Sequence, residues 1–169
     1  EKAELFCVFH RYADGFDELI RRQREMPSEP CRASFASAAL GDMRNIGLHD
    51  QVALRYFATF YQLRRAYYFI NEGLTGKSRC MRKLRRALWN NVFTCDMNLY
   101  VTSMWNRMED FSTLILGETG TGKGSSASAI GRSGFIPFNL SSECFSESFM
   151  ESFIAINLSQ FQENLIESE

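Results

Sequence analysis

The sequence predicts an α/β protein whose two parts differ in their hydrophobic pattern. Residues 1–110 contain long stretches in which apolar residues recur every three or four positions, which is typical of amphipathic helices. After residue 110 the apolar residues form short runs, and a glycine-rich loop separates the first run from a stretch of small residues. We therefore expect a mainly helical N-terminal region over 1–110, followed by strand, glycine loop, helix and strand over 111–169.

Four helical segments are predicted before residue 110. Prolines end the first of them and glycines end the third. The segments are Glu4–Arg24, residues 35–40, Asp50–Glu72, and Ser78–Asp110 with a break near Thr94–Asn98. Along the third segment, the expected buried stripe consists of Val52, Tyr56, Phe60, Leu63, Tyr67 and Ile70. The arginines of that segment, Arg55, Arg64 and Arg65, are expected to lie off the stripe.

Two short apolar runs predict buried strands in the C-terminal part. Thr113–Leu116 is closed by a glycine, and Phe153–Ile156 has the same apolar character. Between them, the small residues of Ser125–Ile130 suit a helix that packs closely on a sheet. Gly134–Ser148 is rich in Ser and Phe and is expected to form a loop or a hairpin.

Composition and charge exclude several classes of protein. The net charge of −1 does not indicate a nucleic acid or membrane partner for the chain as a whole. Residues 1–110 carry a balance of +4 and residues 111–169 a balance of −5, which suggests two units that meet near residue 110. Five cysteines without a CxxC pair are typical of reduced thiols in a cytoplasmic protein. No apolar run is long enough to predict a membrane span.

A dense basic run opens the fourth helical segment. A surface for phosphate or DNA is one interpretation, although no aromatic residues alternate with these charges as they would on a base-stacking surface. A solvated helix face is the other interpretation, and it is the more common one. The run comprises Lys77, Arg79, Arg82, Lys83, Arg85 and Arg86.

The glycine loop itself fits the phosphate-binding pattern G-x-x-x-x-G-K. Its residues are Gly117, Glu118, Thr119, Gly120, Thr121, Gly122 and Lys123. Glycines let such a loop curl so that backbone N–H groups point at phosphate oxygens, and the following helix presents its positive end to the same anion. Lys123 would lie between the outer phosphates, so ATP is the expected ligand. A glycine-rich turn without a ligand is the alternative.

The position after the lysine departs from the full phosphate-binding pattern. That pattern has Ser or Thr there, and the hydroxyl of that residue ligates Mg²⁺. Here the residue is Gly124, and the serines Ser125 and Ser126 come one and two residues later. Mg²⁺ is still expected to accompany ATP, but the residues that would hold the metal are not identified.

Two segments resemble one protein family. Leu114–Lys123 (LILGETGTGK) resembles the first strand and Walker A loop of the AAA+ domain of sigma-54-dependent transcription activators, the bacterial enhancer-binding proteins. Phe153–Glu169 (FIAINLSQFQENLIESE) resembles the next characteristic stretch of that domain. The resemblance implies an ATPase that works as a homo-oligomeric ring, remodels sigma-54 RNA polymerase and acts from enhancer DNA, in the cytoplasm and without a membrane.

The resemblance also implies roles for individual residues. The loop from Gly117 through Lys123 to Gly124 would cradle the phosphates. Asn157 would be the switch asparagine that contacts the catalytic glutamate, and its neutral amide can hold a carboxylate without taking its proton. Alternatively, Asn157 simply caps the end of a strand. The sequence departs from the family at Gly124 and at Leu158, where glutamate and cysteine are common.

The family's other functional segments would lie beyond Glu169, so the chain looks like a truncated AAA+ domain behind a helical regulatory region. We expect ATPase activity in a full-length protein and none from these 169 residues alone. Two other interpretations stay open. One is a fragment of a different P-loop NTPase or kinase, and the other is a helical interaction module with a non-functional P-loop.

Overall fold

A computed structural model describes residues 2–157, and most of them lie in helices. The helices run in chain order and are followed by a two-stranded hairpin. Their bounds are α1 Lys2–Glu25, α2 Ala36–Asn45, α3 Asp50–Ala66, α4 Arg79–Phe93, α5 Met97–Leu99 and α6 Lys123–Gly131, with strands β1 Phe138–Asn139 and β2 Cys144–Phe145. α3 continues as a π-helix over Tyr67–Glu72, α5 continues as one over Tyr100–Met104, and a 3₁₀ turn covers Met108–Asp110.

The predicted helical region and its internal break are confirmed. α4 begins at an N-cap, because the Ser78 hydroxyl accepts a hydrogen bond from the backbone N–H of Met81. It ends at Phe93, and Thr94 follows with a φ of +66°, which a helix cannot continue through. None of the helices formed by residues 2–157 is long and apolar enough to cross a bilayer.

The hairpin predicted within Gly134–Ser148 is also confirmed, and its aromatic side chains enter the helical core. β1 and β2 pair antiparallel with Phe138 opposite Phe145. The Phe138 ring lies 4.7 Å from that of Phe57 on α3, and the Phe145 ring stacks on Tyr61 at 4.0 Å. The sparse hydrogen bonds of such a short hairpin would not hold it alone, so this aromatic packing stabilises it.

The polar exterior of the hairpin is attached to the segment between α1 and α2 and to the first turn of α2. Arg32 pairs with Glu143 at 2.5 Å, and the Ser37 hydroxyl donates to the same carboxylate. These two bonds hold the pKa of Glu143 below its usual value, with the Arg32 bond contributing most. An isolated antiparallel β-bridge also joins the backbones of Arg32 and Cys144. The hairpin is therefore fixed to the helices on both of its faces.

The buried face of α3 differs from the expected stripe. Phe60 and Ile70 are buried as predicted, but Tyr67 is exposed. The other buried positions form a face rotated by about one residue, and they include Ala53, Phe57 and Tyr61. The sequence of this helix contains two adjacent apolar stripes. The stripe that is buried is the one against which the aromatic side chains of the hairpin pack.

The prediction that Arg65 lies off the buried stripe is wrong, because its side chain is fully buried. Its guanidinium donates to the carbonyl of Arg132 at 2.9 Å and to that of Gly134 at 2.7 Å. It also lies over the Tyr61 ring, 4.6 Å from the centroid. Burial lowers the pKa of Arg65 to about 10, which leaves it a cation at neutral pH. Without this side chain the carbonyls of Arg132 and Gly134 would lack these hydrogen-bond donors, which explains why an arginine lies in the core.

Gln62, one turn before Arg65 on α3, completes the same arrangement. Its amide nitrogen donates to the Ser133 carbonyl at 2.9 Å, and its amide oxygen accepts from the Tyr100 hydroxyl at 2.5 Å. Gln62 and Arg65 thus bind three successive carbonyls, those of residues 132–134, where the chain leaves α6. We call this arrangement the α3 clamp.

The two predicted buried strands are wrong for the residues that the structure describes. Neither Thr113–Leu116 nor Phe153–Ile156 is a strand. Leu114 and Leu116 are each 82% exposed and Ile154 is 79% exposed. A strand needs a hydrogen-bonded neighbour and a layer that covers its apolar face, and residues 2–157 supply neither to these segments. The predicted boundary near residue 110 stays a prediction, although α6 and the hairpin pack on helices from before it.

Replacing Arg65 tests the clamp. Arg65→Met keeps the side-chain length but leaves the carbonyls of Arg132 and Gly134 without donors, so we expect a loss of about 3 kcal/mol in the free energy of unfolding. Arg44→Met removes an exposed pair with Asp50 and should change it by no more than about 1 kcal/mol. Urea titration followed by circular dichroism measures both. Equal effects of the two substitutions would contradict the structural role of Arg65.

Candidate functional site

The glycine loop lies on the surface immediately before α6, and two of its glycines adopt left-handed backbone conformations. Gly120 has a φ of +82° and Gly122 a φ of +86°. Gly122 also occupies the N-cap position of α6. Only glycine adopts such conformations without steric strain, so the pattern of glycines in the sequence is explained by the path of the loop.

The other end of the loop is closed by contacts around Gly117. A Cβ atom at that position would lie 3.0 Å from the Thr121 hydroxyl oxygen. That hydroxyl donates to the Glu118 carbonyl at 2.7 Å. The loop therefore folds back on itself, and a side chain at Gly117 would push it open.

Lys123 spans the loop. Its ammonium donates to the carbonyls of Gly117 and Glu118, both at 2.7 Å. An ammonium has three hydrogens, so one donor remains, and the two carbonyl bonds can be exchanged for bonds to an anion. The side chain is half-buried while the loop residues before it are exposed. Lys123 is thus already held beside the loop in which a phosphate would bind.

The first turn of α6 adds backbone donors beside Lys123. No side chain caps this helix. The first helical hydrogen bond between residues four apart runs from the Ser126 N–H to the Gly122 carbonyl at 3.0 Å. The N–H groups of Lys123, Gly124 and Ser125 precede that bond, so helix geometry gives them no internal acceptor. These donors and the positive end of the helix dipole favour an anion at this place.

The structure does not supply the missing hydroxyl for a metal at Gly124. Space around the Gly124 Cα is open, with no atom beyond its chain neighbours and its own helix backbone within 4 Å of an added Cβ. Ser126 is buried under the helix, and Ser125 is exposed one position beyond the one that the pattern requires. Among residues 2–157, no group of three or more His, Cys, Asp and Glu side chains could hold a metal ion.

Asn157 is exposed at the last described position. The segment before it is anchored at the C-terminal end of α6. The Ser152 hydroxyl donates to the Gly131 carbonyl at 3.1 Å, and an added Cβ at Gly131 would lie 2.7 Å from the Phe153 ring. The catalytic role of Asn157 stays a prediction, and the rest of its motif, residues 158–169, lies outside the described part.

A cavity of about 560 Å³ lies away from the glycine loop. Its wall includes Trp105, Phe111 and Phe135, with Gln62 of the α3 clamp and Glu147 as polar members. None of the residues predicted to bind ATP lines it. The candidate site is therefore the exposed surface loop rather than this cavity.

Sequence reasoning missed the residues that position α6, namely Gln62 and Arg65. In the sequence they stand out only as two long polar side chains three residues apart within the apolar part of α3. Such a pair is also typical of a solvated helix face. Their partners lie about seventy residues later in the chain, and no local pattern identifies such partners.

Comparison with known proteins identifies one domain. Residues 97–169 match the family model described as the sigma-54 interaction domain. The match covers the glycine loop, α6, the hairpin and Asn157, and it begins after α4. No curated protein and no solved structure matches the chain.

Two alanine substitutions in the loop test its conformation. Gly122→Ala places a Cβ on a left-handed backbone and should destabilise the protein by about 1–2 kcal/mol. Gly124→Ala, two residues later in a helical turn with open space, should be neutral or stabilise it by up to about 1 kcal/mol. Thermal unfolding of both variants measures the difference. If Gly124→Ala is the more destabilising, the described path of the loop is incorrect.

Proposed function

Because residues 97–169 match the sigma-54 interaction domain, we propose that the chain is part of a sigma-54-dependent transcription activator and that its glycine loop binds ATP. In this proposal the chain forms the ATP-binding part of an activator that uses ATP hydrolysis to remodel sigma-54 RNA polymerase. The family match supports the partner, and the loop supports the ligand. The single observation that carries ATP binding is the placement of Lys123 across a loop whose glycines adopt left-handed conformations.

The loop binds phosphate through two kinds of donor, backbone N–H groups and the ammonium of Lys123. The backbone N–H groups at the start of α6 point out of the helix end, and the helix dipole adds to their positive potential. Lys123 moves its ammonium from the carbonyls of Gly117 and Glu118 to phosphate oxygens. Glu118, Thr119, Gly120 and Thr121 form the rest of the cradle, where small and polar residues let the backbone approach the phosphates closely.

Mg²⁺ is proposed to accompany ATP, but this chain would hold it differently from the usual phosphate-binding loop. The chemistry that MgATP would supply is hydrolysis of the bond between its β- and γ-phosphates, which would drive the remodelling. Gly124 offers no hydroxyl ligand, so phosphates and water would provide most of the coordination, as Mg²⁺ commonly accepts. Carboxylates beyond the residues described here would complete it.

Asn157 is proposed as the residue that links the ligand to catalysis. Its amide would hold a catalytic carboxylate in place, and such a carboxylate would orient the attacking water. A homo-oligomeric ring, contact with enhancer DNA and a cytoplasmic location are proposed on the family's example.

Removing the ammonium of Lys123 tests the ligand. Lys123→Ala should weaken binding of a fluorescent ATP analogue at least about tenfold, because a hydrogen bond between charged groups contributes about 1.5–3 kcal/mol. The control is Arg44→Ala, which removes an exposed cation from α2, away from the loop and from the basic run of α4, and should leave the affinity unchanged. Fluorescence titration of both variants measures this. Equal affinities for Lys123→Ala and the parent protein would exclude the loop as the ATP site.

Introducing a hydroxyl at position 124 tests how the loop holds Mg²⁺. Gly124→Thr introduces the ligand of the full pattern at a position with open space. We expect Mg²⁺ to strengthen ATP binding more in this variant than in the parent protein, by about threefold to tenfold. Gly124→Val, which has nearly the same shape and no hydroxyl, is the control. If Thr and Val give the same Mg²⁺ dependence, the hydroxyl at this position does not reach the metal.

A further inference from the structure

Four cations form a stripe along the exposed side of α4. Arg79, Arg82, Lys83 and Arg86 follow the spacing of three, four and seven residues that puts side chains on one helix face, and all four are exposed. Lys77 extends the line just before the helix and is also exposed. We call these five residues the α4 basic stripe. It precedes the residues matched by the family model, and the proposed ATP site does not use it.

None of the members of the stripe forms an ion pair within residues 2–157, although they lie close together. Several other arginines are matched with carboxylates, as in the pairs Arg11–Asp42, Arg21–Glu18, Arg44–Asp50 and Arg64–Asp17. From Gly73 to Cys95 the sequence contains no acidic residue at all. Like charges one turn apart destabilise a helix, so this segment bears an electrostatic cost that no contact in the described structure offsets.

We propose that the α4 basic stripe binds the phosphate backbone of a nucleic acid duplex without regard to base sequence. The four helical cations span about 10 Å along the helix axis. A duplex carries one phosphate charge for about every 1.7 Å of its own axis, so several phosphates lie within reach of this length. This contact is separate from the enhancer contacts proposed above, and it does not depend on ATP.

The chemistry of the exposed face favours a duplex over other polyanions. Besides the cations, the exposed positions of α4 hold Cys80, Ala87 and Asn90, so the face has no large apolar side chain. A protein partner would ordinarily need such an anchor, and a membrane helix would need an apolar face to insert. Single strands bind by stacking bases on aromatic rings, but Trp89 already stacks on Phe93 and donates to Asn71.

A shallow depression extends the basic surface beside the start of α4. Its volume is about 570 Å³, and its wall includes Thr75, Gly76, Lys77, Arg82 and Arg85. Arg85 donates to the carbonyls of Leu74 and Gly76, which holds the loop before α4 in place. Lys77 and Arg82 therefore lie beside a loop whose backbone is held in place, and their exposed side chains can reach a phosphate there.

Duplex binding can be measured by fluorescence anisotropy with a labelled DNA of about 25 base pairs and arbitrary sequence, at about 50 mM salt and above. The test variant replaces four cations by glutamine, which keeps helix propensity. A control variant makes the same change of charge at paired or scattered surface arginines. The test set is Arg79, Arg82, Lys83 and Arg86, and the control set is Arg11, Arg21, Arg24 and Arg44.

The test variant should bind the duplex at least about tenfold more weakly than the parent protein. The slope of log Kd against log salt should fall by about 0.9 for each phosphate that the variant no longer neutralises. The control variant should keep most of the affinity, and circular dichroism should show both variants folded. Lys123→Ala should bind the duplex as the parent protein does, which separates this result from that for the ATP site.

Three outcomes would overturn the proposal. The first is a parent protein that does not bind the duplex at low salt. The second is an equal loss of affinity in the two glutamine variants, which would indicate general attraction by charge. The third is tight binding to polyglutamate or to anionic lipid vesicles with little binding to the duplex, since either would identify a different class of partner.

Discussion

The structure depends on the α3 clamp, in which Gln62 and Arg65 bind the chain where it leaves α6. Three successive carbonyls there are directed into the core, and each buried carbonyl without a donor would cost free energy. Arg65 supplies two donors and Gln62 supplies one. A cation at the C-terminal end of α6 is also favourable for the dipole of that helix. The helical region thereby fixes the position of α6.

The same helix presents the candidate phosphate site at its other end. α6 is nine residues long, so its two ends are only about 13 Å apart and move together. Its C-terminal end is fixed by a buried cation, and its N-terminal end is left open for an anion. Lys123 meanwhile forms bonds to loop carbonyls that a phosphate must replace, which holds the ammonium in place but lowers the net gain on binding.

Surface charge is arranged unevenly around this helical region. Outside the α4 basic stripe, four of the six exposed arginines of the described residues pair with carboxylates, and such pairs contribute little to stability because water screens them. The α4 basic stripe has no such partners in the described structure, so its potential extends into the solvent. The stripe and the loop are each suited to phosphate groups, but in different ways. In the proposed function the loop would enclose one group with backbone donors, whereas the stripe offers a line of side-chain charges.

The sequence by itself determined the features that depend on neighbouring residues. The four helical segments, the break at Thr94 and the hairpin follow from periodicity and turn residues, and the glycines at 120 and 122 explain the loop. Tertiary structure decided which stripe of α3 is buried, because the hairpin aromatics select Phe57 and Tyr61.

Tertiary structure also decided that Arg65 is inside, because its acceptors lie on a distant segment. The exposure of Leu114 and Ile154 has the same origin. A short apolar run becomes a strand only beside a partner strand, and such a partner is a property of the whole fold rather than of the run.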